Sequence, residues 1–264
     1  MAMSGKDEYY NRSKQQGYRS RAAYKLKQMD AEANLLSEGE TVVDLGAAPG
    51  GWLQVATEAV GEEGRVVGVD LQRIDPIGED EAGDPDAPSE TVRGDMTEES
   101  TRERTIEAAG GKADTVLSDM APNMTGEYNL DHARSVHLAR QAFETALELL
   151  DTGGDLVVKV FQGPDVEDLK EDMEAEFEYV RTMGPDASRD SSSEIYLVAR
   201  NRLTAPVRPG DVVTVDVTDT GAEGDGIARV DGFTLFVEGA DKGETVEVEV
   251  GDVKPNFGFA ERTE

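Results

Sequence analysis

One glycine-rich turn limits the folds open to this chain more than any other feature. The short apolar run Val42–Leu45 contains Asp44 and leads into Gly46-Ala47-Ala48-Pro49-Gly50-Gly51, and a helix is expected to begin near Gly51. Glycines let the backbone bend and approach a ligand where a Cβ would clash. A strand, turn and helix in this order place a ligand at the carboxyl end of a parallel strand, as in open α/β sheets.

The spacing of the glycines separates two kinds of nucleotide ligand. The dinucleotide pattern G-x-G-x-x-G is absent, because Ala48 stands where its second glycine would be. The looser pattern acidic-x-Gly-x-x-x-Gly suits a nucleoside without a pyrophosphate, such as S-adenosylmethionine. A tight turn that binds nothing is the simpler alternative, since short motifs carry a risk of false matches.

Predicted helices and strands alternate over residues 20–199, and this alternation indicates the fold class. We predict helices over 20–36, 51–60, 98–109, 131–150 and 166–175. We predict seven strands over 41–45, 65–70, 90–93, 115–118, 156–161, 179–183 and 194–199. Residues 74–89, rich in Pro, Gly, Asp and Glu, are expected to form an exposed loop. The pattern predicts an α/β, Rossmann-like, parallel-rich sheet with helices on both faces.

The pattern changes after Asn201, where helical periodicity ends. Valine-rich runs separated by Gly and Asp predict five short strands over 211–217, 226–230, 233–237, 244–250 and 258–261. Five strands in so short a segment suit a small all-β barrel of the OB-like type. We therefore expect one domain over residues 1–200 and a second over 203–264, joined by a linker around Pro206 and Pro209.

The charge of the chain is extreme, with 26 basic against 56 acidic residues and a net charge of -30. Such a chain is normally a poor nucleic-acid binder. The acids are spread along the whole chain, which favours adaptation to a very salty cytoplasm, where salt screens their repulsion.

Residues 1–27 are an exception to this acidity. Asp7 and Glu8 are outnumbered there by basic residues, which are interleaved with tyrosines: Lys6, Tyr9, Tyr10, Arg12, Lys14, Tyr18, Arg19, Arg21, Tyr24, Lys25 and Lys27. Basic residues mixed with aromatics suit phosphate contact and base stacking. We favour RNA contact by this basic segment over a flexible, solvated arm.

Other features exclude several classes of protein. The chain has no cysteine and two histidines, so neither a disulfide framework nor a Cys or His metal site is expected. It has no apolar run long enough to span a membrane, and its polar start lacks a signal-peptide core. We expect a cytoplasmic protein without a membrane contact or a metal.

Acidic residues at the ends of predicted strands are the first candidate ligands. Asp70 ends the second strand and could accept hydrogen bonds from both ribose hydroxyls of a nucleoside. Asp95 ends the third strand and could bind an adenine amine while Met96 packs on the ring, although a helix cap is the alternative. Asp119 ends the fourth strand, beside the glycine turn, where it can face a reacting group.

Lys159 is the most informative single residue of the chain. It interrupts Leu156-Val157-Val158-Lys159-Val160-Phe161, a strand that otherwise has the apolar composition of a buried one. A lysine there costs desolvation unless it is paired, and burial favours its neutral form. A lysine snorkelling at a strand end is the alternative. Lys25 and Glu194 could complete a site, although ordinary surface charge explains each of them taken alone.

Five motifs together make the chain resemble the FtsJ/RrmJ (RlmE) family of S-adenosylmethionine-dependent ribose 2′-O-methyltransferases that act on RNA. They span residues 20 to 199 in the family's order. The motifs are Ser20-Arg21-Ala22-Ala23-Tyr24-Lys25-Leu26, Asp44-Leu45-Gly46-Ala47-Ala48-Pro49-Gly50-Gly51-Trp52, Ser118-Asp119-Met120-Ala121-Pro122, Val158-Lys159-Val160-Phe161-Gln162-Gly163 and Ser191-Ser192-Ser193-Glu194-Ile195-Tyr196-Leu197-Val198-Ala199. Residues 203–264 are similar to a TRAM domain, a small β-barrel that binds RNA. This tail and the acidity, which suggests an extremely halophilic archaeal type, depart from the single-domain bacterial form.

The resemblance implies roles for individual residues. The family's catalytic tetrad corresponds to Lys25, Asp119, Lys159 and Glu194, and its cofactor positions correspond to Gly50, Trp52, Asp70, Asp95 and Asp119. The implied reaction is methyl transfer from S-adenosylmethionine to the 2′-hydroxyl of a uridine in 23S rRNA, on free rRNA or the large ribosomal subunit. We expect a monomer, and we expect the tail's phenylalanines (Phe233, Phe236, Phe257 and Phe259) to fill the barrel core rather than stack on bases.

Three other functions stay open at this point. A tRNA could be the methyl acceptor instead of rRNA. A nicotinamide-dependent oxidoreductase could share the fold, but the dinucleotide glycine spacing is missing and Lys159 would have no clear role. A non-catalytic RNA-binding protein could have kept the fold, but the intact tetrad argues against it.

Overall fold

The alternating first part of the chain forms one seven-stranded sheet. The computed structural model describes residues 5–188 and 193–263. Its first seven strands are β1 (Thr41–Leu45), β2 (Arg65–Asp70), β3 (Ser89–Arg93), β4 (Ala113–Ser118), β5 (Leu150–Phe161), β6 (Phe177–Met183) and β7 (Glu194–Arg202). The sheet order is β3-β2-β1-β4-β5-β7-β6, and β7 runs antiparallel to both of its neighbours while the β3 to β5 pairs are parallel.

Helices cover both faces of this sheet, which confirms the predicted fold class. They are α1 (Gly5–Gln15), α2 (Ala22–Ala33), α3 (Gly51–Val60), α4 (Glu99–Ala109), α5 (Tyr128–Leu149) and α6 (Val166–Glu174). Leu156, Val158 and Val160 of β5 pack in the core under α4 to α6, whereas Val157 packs in the core under α2 and α3. Because side chains alternate along a strand, Lys159 points to the α2 and α3 side.

The largest error in the predicted bounds is at the start of β5. The strand predicted over 156–161 begins at Leu150 and runs through Gly153 and Gly154, directly after α5, which was predicted over 131–150 and ends at Leu149. The pairing of β4 with β5 shifts register between Ala113 and Thr115, so the glycines belong to a bulge. Helix α1 was not predicted, because it is mostly polar and only Tyr9 of its described side chains packs against the core.

The C-terminal segment forms a closed five-stranded barrel, as predicted. Its strands are β8 (Val212–Thr220), β9 (Gly226–Val230), β10 (Phe233–Val237), β11 (Thr245–Val253) and β12 (Phe257–Arg262), in the order β10-β12-β11-β8-β9. Leu235, Val237 and Ala260 fill its core. In the described residues, no helix has both the length and the apolar character needed to cross a membrane.

The expectation that the barrel phenylalanines fill the core was wrong for three of the four. Phe233 packs against the core, but Phe236, Phe257 and Phe259 form an outward cluster with ring centroids 5.6 to 5.8 Å apart. Strand alternation explains this, because Leu235 and Ala260 take the inward positions of β10 and β12. The barrel therefore presents aromatic rings to solvent.

The barrel docks at the end of the sheet opposite to the glycine turn. Lys254 of the barrel lies 2.7 Å from Glu178 of β6, and Thr204 Oγ1 lies 2.6 Å from Thr152 Oγ1 at the start of β5. Lys159 is further along the same strand, about 23 Å from Thr152 at 3.3 Å per residue. The aromatic barrel and the buried lysine are thus well separated.

Candidate active site

A cavity of about 390 Å³ opens at the carboxyl ends of β1, β2, β3 and β4. We call it the turn cavity; the glycine turn, strand ends and α5 supply its walls, which include Gly46, Ala48, Asp70, Leu71, Asp95, Met96, Asp119, Met120 and Leu138. Gly46 has a φ of 76°, and a Cβ there would fall 2.2 Å from the Met120 side chain. Only glycine fits this backbone beside Met120, which keeps the turn close to the cavity.

Asp70 is held rigidly at the wall of the turn cavity. Its Oδ2 accepts a hydrogen bond of 3.0 Å from the Ala48 amide, and its Oδ1 accepts one of 2.7 Å from the Gln72 amide. A carboxylate oxygen has more than one acceptor site. Asp70 can therefore receive further hydrogen bonds from a ligand while its orientation is fixed by the backbone.

Asp95 takes a similar position after β3. Its Oδ1 accepts hydrogen bonds from the Thr97 amide at 3.0 Å and the Thr97 hydroxyl at 2.7 Å, and the first of these chiefly holds the pKa of Asp95 below its usual range. Asp95 therefore closes a local turn and is not the cap of α4, since α4 begins later, at Glu99. The ionised Asp95 and the apolar Met96 together suit a flat ring that carries an amine.

Asp44 lies beneath the turn and is 1% exposed. Burial, followed by the charges of Asp119 and Asp70, raises the pKa of Asp44 well above its usual range. Its Oδ2 has no hydrogen-bond partner among the described residues. A third carboxylate charge so close to Asp70 and Asp119 would be costly, and protonation removes it.

The Asp44→Asn variant should be more stable than the parent above about pH 5. Between the pKa of Asp44 in the unfolded chain and its higher pKa in the folded state, the folded state holds a proton on Asp44 that the unfolded chain has released. The parent therefore loses stability as pH rises through this range, by at most about 1.4 kcal/mol per pH unit. Denaturant unfolding between pH 4 and pH 8 in molar KCl measures this. The exposed Asp75→Asn change is the control, and equal pH slopes for parent and Asp44→Asn would contradict a protonated Asp44.

A second cavity, of about 290 Å³, adjoins the first and contains the buried lysines. We call it the lysine cavity, and its lining is Arg21, Ala22, Lys25, Ala121, Met124, Lys159, Phe161 and Glu194. The two cavities share Ala121 and meet at Asp119, which lines the turn cavity. A group held in one cavity therefore faces a group held in the other across Asp119.

The four predicted tetrad residues come together at this junction. Lys159 Nζ lies 2.8 Å from Asp119 Oδ1 and also donates to the Asp119 carbonyl. Lys25 Nζ lies 2.8 Å from Glu194 Oε1 and 3.9 Å from Asp119 Oδ1. Both lysines are 7% exposed, so the snorkelling alternative for Lys159 and the surface-charge alternative for Lys25 are excluded.

Tyr196 also belongs to the junction, although sequence reasoning gave it no role. It pairs in register with Lys159, its ring is fully buried, and its hydroxyl donates to Asp119 Oδ1 at 2.6 Å. Burial, together with Asp119, raises the pKa of Tyr196 well above its usual range, so the hydroxyl stays a neutral donor. The alternation of Glu194 and Tyr196 along one strand could have predicted this shared face.

Two predicted cofactor residues, Gly50 and Trp52, lie outside the turn-cavity lining of the described chain. Trp52 is buried on the α2 side, where Nε1 donates to the Ala22 carbonyl at 2.8 Å and the ring lies 5.9 Å from Tyr196. A Cβ on Gly50 would meet the Arg19 guanidinium at 2.7 Å. The structure therefore gives the Trp52 side chain a packing position and makes Gly50 a contact for the N-terminal segment.

The basic segment is less available for RNA than its charge indicates. Arg19 bonds the Glu81 carboxylate at 2.7 Å and three carbonyls of the loop and turn, and Lys27 lies 2.9 Å from Glu58. Lys25 pairs with Glu194, and Arg21 donates to the Ala187 carbonyl while lining the lysine cavity. Much of the segment's positive charge thus fastens it to the first domain.

Family models match both parts of the chain. The FtsJ-like methyltransferase model matches residues 18–202, and the TRAM domain model matches residues 206–262. The chain is 68% identical over 262 residues to the Ribosomal RNA large subunit methyltransferase E of Natronomonas pharaonis, covering 99% of this chain and 100% of that protein. A protein of the same name from Methanosarcina mazei is 47% identical over 262 residues, with 99% and 94% covered.

A solved structure is similar to the first domain. The crystal structure of a Plasmodium falciparum protein assigned as a ribosomal RNA methyltransferase superposes with a TM-score of 0.59 at 28% identity. The match covers 70% of this chain and 98% of the other chain.

Proposed function

Because this chain belongs to the FtsJ-like methyltransferase family and carries a TRAM domain, we propose that it methylates ribosomal RNA of the large subunit. The proposed donor is S-adenosylmethionine, and the proposed acceptor is a ribose 2′-hydroxyl, with a uridine of 23S rRNA as first choice. The observation that carries this proposal is the buried Lys159–Asp119 pair at the junction of two cavities. The names of the relatives from Natronomonas pharaonis and Methanosarcina mazei support large-subunit ribosomal RNA as the substrate.

The turn cavity has acceptor groups that suit the hydroxyls and the amine of S-adenosylmethionine. Asp70 would bind the ribose hydroxyls, and Asp95 would bind the adenine amine beside Met96. Gly46 and Ala48 leave space for the rest of the nucleoside. The Asp119 carboxylate would favour a positively charged group of the ligand in the part of the cavity that it lines. When bound, S-adenosylmethionine supplies an electrophilic methyl group on a positively charged sulfur.

The lysine cavity would hold the acceptor ribose, whose hydroxyl must lose a proton during transfer. Lys159 Nζ, after it has released its own proton to solvent, is the proposed proton acceptor, and Asp119 at 2.8 Å stabilises the ammonium that forms again. The neutral Tyr196 hydroxyl keeps Asp119 in place. The Lys25–Glu194 pair would orient the ribose, and alignment of the hydroxyl with the methyl group supplies much of the acceleration.

The test is methyl incorporation by the purified full chain in molar KCl. Tritiated S-adenosylmethionine is incubated with large-subunit rRNA, and separately with tRNA, from a strain that lacks the gene. We expect label in the rRNA that resists alkaline cleavage, because a 2′-O-methyl group blocks attack on the adjacent phosphate. Alkali-sensitive label would indicate base methylation, and label in tRNA alone would assign the other substrate; each outcome would overturn the proposal.

We propose that the barrel adds affinity for RNA through its outward phenylalanines. The barrel has few basic residues, so stacking on Phe236, Phe257 and Phe259 is its available contact with bases. Because the barrel is remote from Lys159, Phe259→Ala should raise KM for RNA about fivefold and leave kcat unchanged. The exposed barrel variant Val212→Ala is the matched control. Equal KM values for Phe259→Ala and Val212→Ala would refute a role of this cluster in binding.

A further inference from the structure

Large apolar side chains are concentrated on the surface beside the lysine cavity. Among the described residues nine large hydrophobic side chains are exposed, and three of them, Met124, Tyr128 and Leu130, fall within seven consecutive positions. Met124 is 63% exposed and lines the lysine cavity, and Tyr128 is 57% exposed at the start of α5. The rest of the surface is rich in carboxylates. Packing does not explain why large apolar side chains are exposed together at this place.

Tyr128 is fixed in place by two contacts and is still largely exposed. Its hydroxyl donates to the Gln162 carbonyl at 2.7 Å, next to Phe161 in the wall of the lysine cavity. Its ring stacks on His132 with an interplanar angle of 13° and a centroid distance of 6.4 Å. Because Tyr128 is 57% exposed, its ring still presents an open face to solvent.

His132 in turn is built into the end of β5. It is 3% exposed, its Nδ1 lies 3.0 Å from the Phe161 carbonyl, and its ring fills the space where a Cβ of Gly163 would be, at 2.4 Å. The Tyr128–His132 stack is therefore rigidly connected to the strand that carries Lys159. A ring placed on the open face of Tyr128 would have a fixed position relative to that lysine.

The loop that carries Met124 is also held firmly. The carboxylate of Asp131, which is 4% exposed, accepts hydrogen bonds from the Thr125 amide and hydroxyl, both at 2.8 Å, and from the Gly126 amide at 3.0 Å. The first of these chiefly keeps the pKa of Asp131 below its usual range, so it stays ionised. This clamp positions Met124 over the lysine cavity although its side chain is largely exposed.

We propose that Met124 and Tyr128 form a stacking platform for unpaired RNA bases, with the base of the methylated nucleotide against Met124 and its neighbour on the open face of Tyr128. The inference rests on the proposed function and extends it to recognition of the strand. Bases are flat rings that stack on aromatic side chains regardless of sequence. Exposed Arg134, whose Nη1 lies 3.5 Å from the Asn123 carbonyl, is placed to meet the phosphates. Asp131 and His132 are positioning residues for this platform.

Methyl-transfer kinetics on free large-subunit rRNA test the platform. Tyr128→Leu keeps an apolar side chain but removes the ring, and it should raise KM for RNA about tenfold while KM for S-adenosylmethionine stays unchanged. Tyr128→Phe keeps the ring and loses only the bond to Gln162, so it should stay within about twofold of the parent. Met124→Ala should raise KM for RNA severalfold, and Leu130→Ala is the exposed control expected to change nothing. An unchanged KM for RNA in Tyr128→Leu would overturn the proposal.

A binding measurement decides the same question without catalysis. An eight-nucleotide oligouridylate with one internal 2-aminopurine is titrated with protein, and stacking quenches the fluorescence of that base. The parent and Tyr128→Phe should quench it, and Tyr128→Leu should not; equal quenching by all three would overturn the platform even if no methyl transfer were found. If Tyr128→Leu were defective on assembled subunits but normal on free rRNA and the oligonucleotide, the surface would instead contact a ribosomal protein.

Discussion

Replacing Lys159 with alanine should slow methyl transfer by about 10²- to 10⁴-fold, the range expected when a general base is removed. The side chain has no part in the walls of the turn cavity, so affinity for S-adenosylmethionine should stay within about twofold of the parent. Its buried ammonium interacts with Asp119 at the point where the two cavities meet. The loss should therefore appear in kcat, measured under single-turnover conditions with saturating RNA.

Lys159→Arg separates the two roles that a cation could have here. An arginine keeps a positive charge near Asp119 but cannot be deprotonated in a protein, so it cannot act as a base. We expect Lys159→Arg to be as inactive as Lys159→Ala if proton transfer is the role. Lys170→Ala removes a partly exposed lysine that pairs with Glu174 on α6, and this control should keep full activity. An active Lys159→Ala enzyme would remove Lys159 from the mechanism.

The sequence was sufficient to predict the sheet, because its strands and helices depend on local patterns. β1, α3 and β2 have the predicted bounds, since a buried strand followed by glycines leaves little freedom in register. Lys159 was identified by its conflict with an apolar strand, and such a conflict indicates function when each level of structure otherwise agrees. The grouping of Asp119, Lys25 and Glu194 with Lys159 followed from the family resemblance, since periodicity alone could not have joined them.

What the sequence did not predict depends on contacts between distant segments. The indole of Trp52 faces α2 rather than the turn cavity because Ala22, thirty residues earlier, offers a carbonyl to its N–H. Arg19 and Lys27 were counted as RNA-contacting charges, but Arg19 pairs with Glu81 and Lys27 pairs with Glu58. A local count of charge cannot show which carboxylates the fold will bring to a basic segment.

Replacing Asp119 with alanine should destabilise the fold as well as abolish activity. Its Oδ1 lies within 2.8 Å of Lys159 Nζ and 2.6 Å of the Tyr196 hydroxyl, and both groups are buried. Removing the carboxylate leaves a buried ammonium and a buried hydroxyl without this acceptor. Breaking a buried pair from one side costs about 3–5 kcal/mol, and the lower end is expected because the Lys159 ammonium keeps the residue-119 carbonyl as an acceptor.

Asp119→Asn tests whether charge or shape is responsible for this cost. The amide keeps the volume and one acceptor oxygen, so Tyr196 can still donate, and the free energy of unfolding should fall by about half as much as in Asp119→Ala. Denaturant titration in molar KCl measures both variants, because screening by salt affects exposed pairs more than buried ones. Asp172→Ala removes the exposed partner of Arg140 and should cost no more than about 1 kcal/mol. If Asp119→Ala cost no more stability than that control, Asp119 would not stabilise the junction of the two cavities. The loss of activity would then have to come from the loss of its role in the reaction.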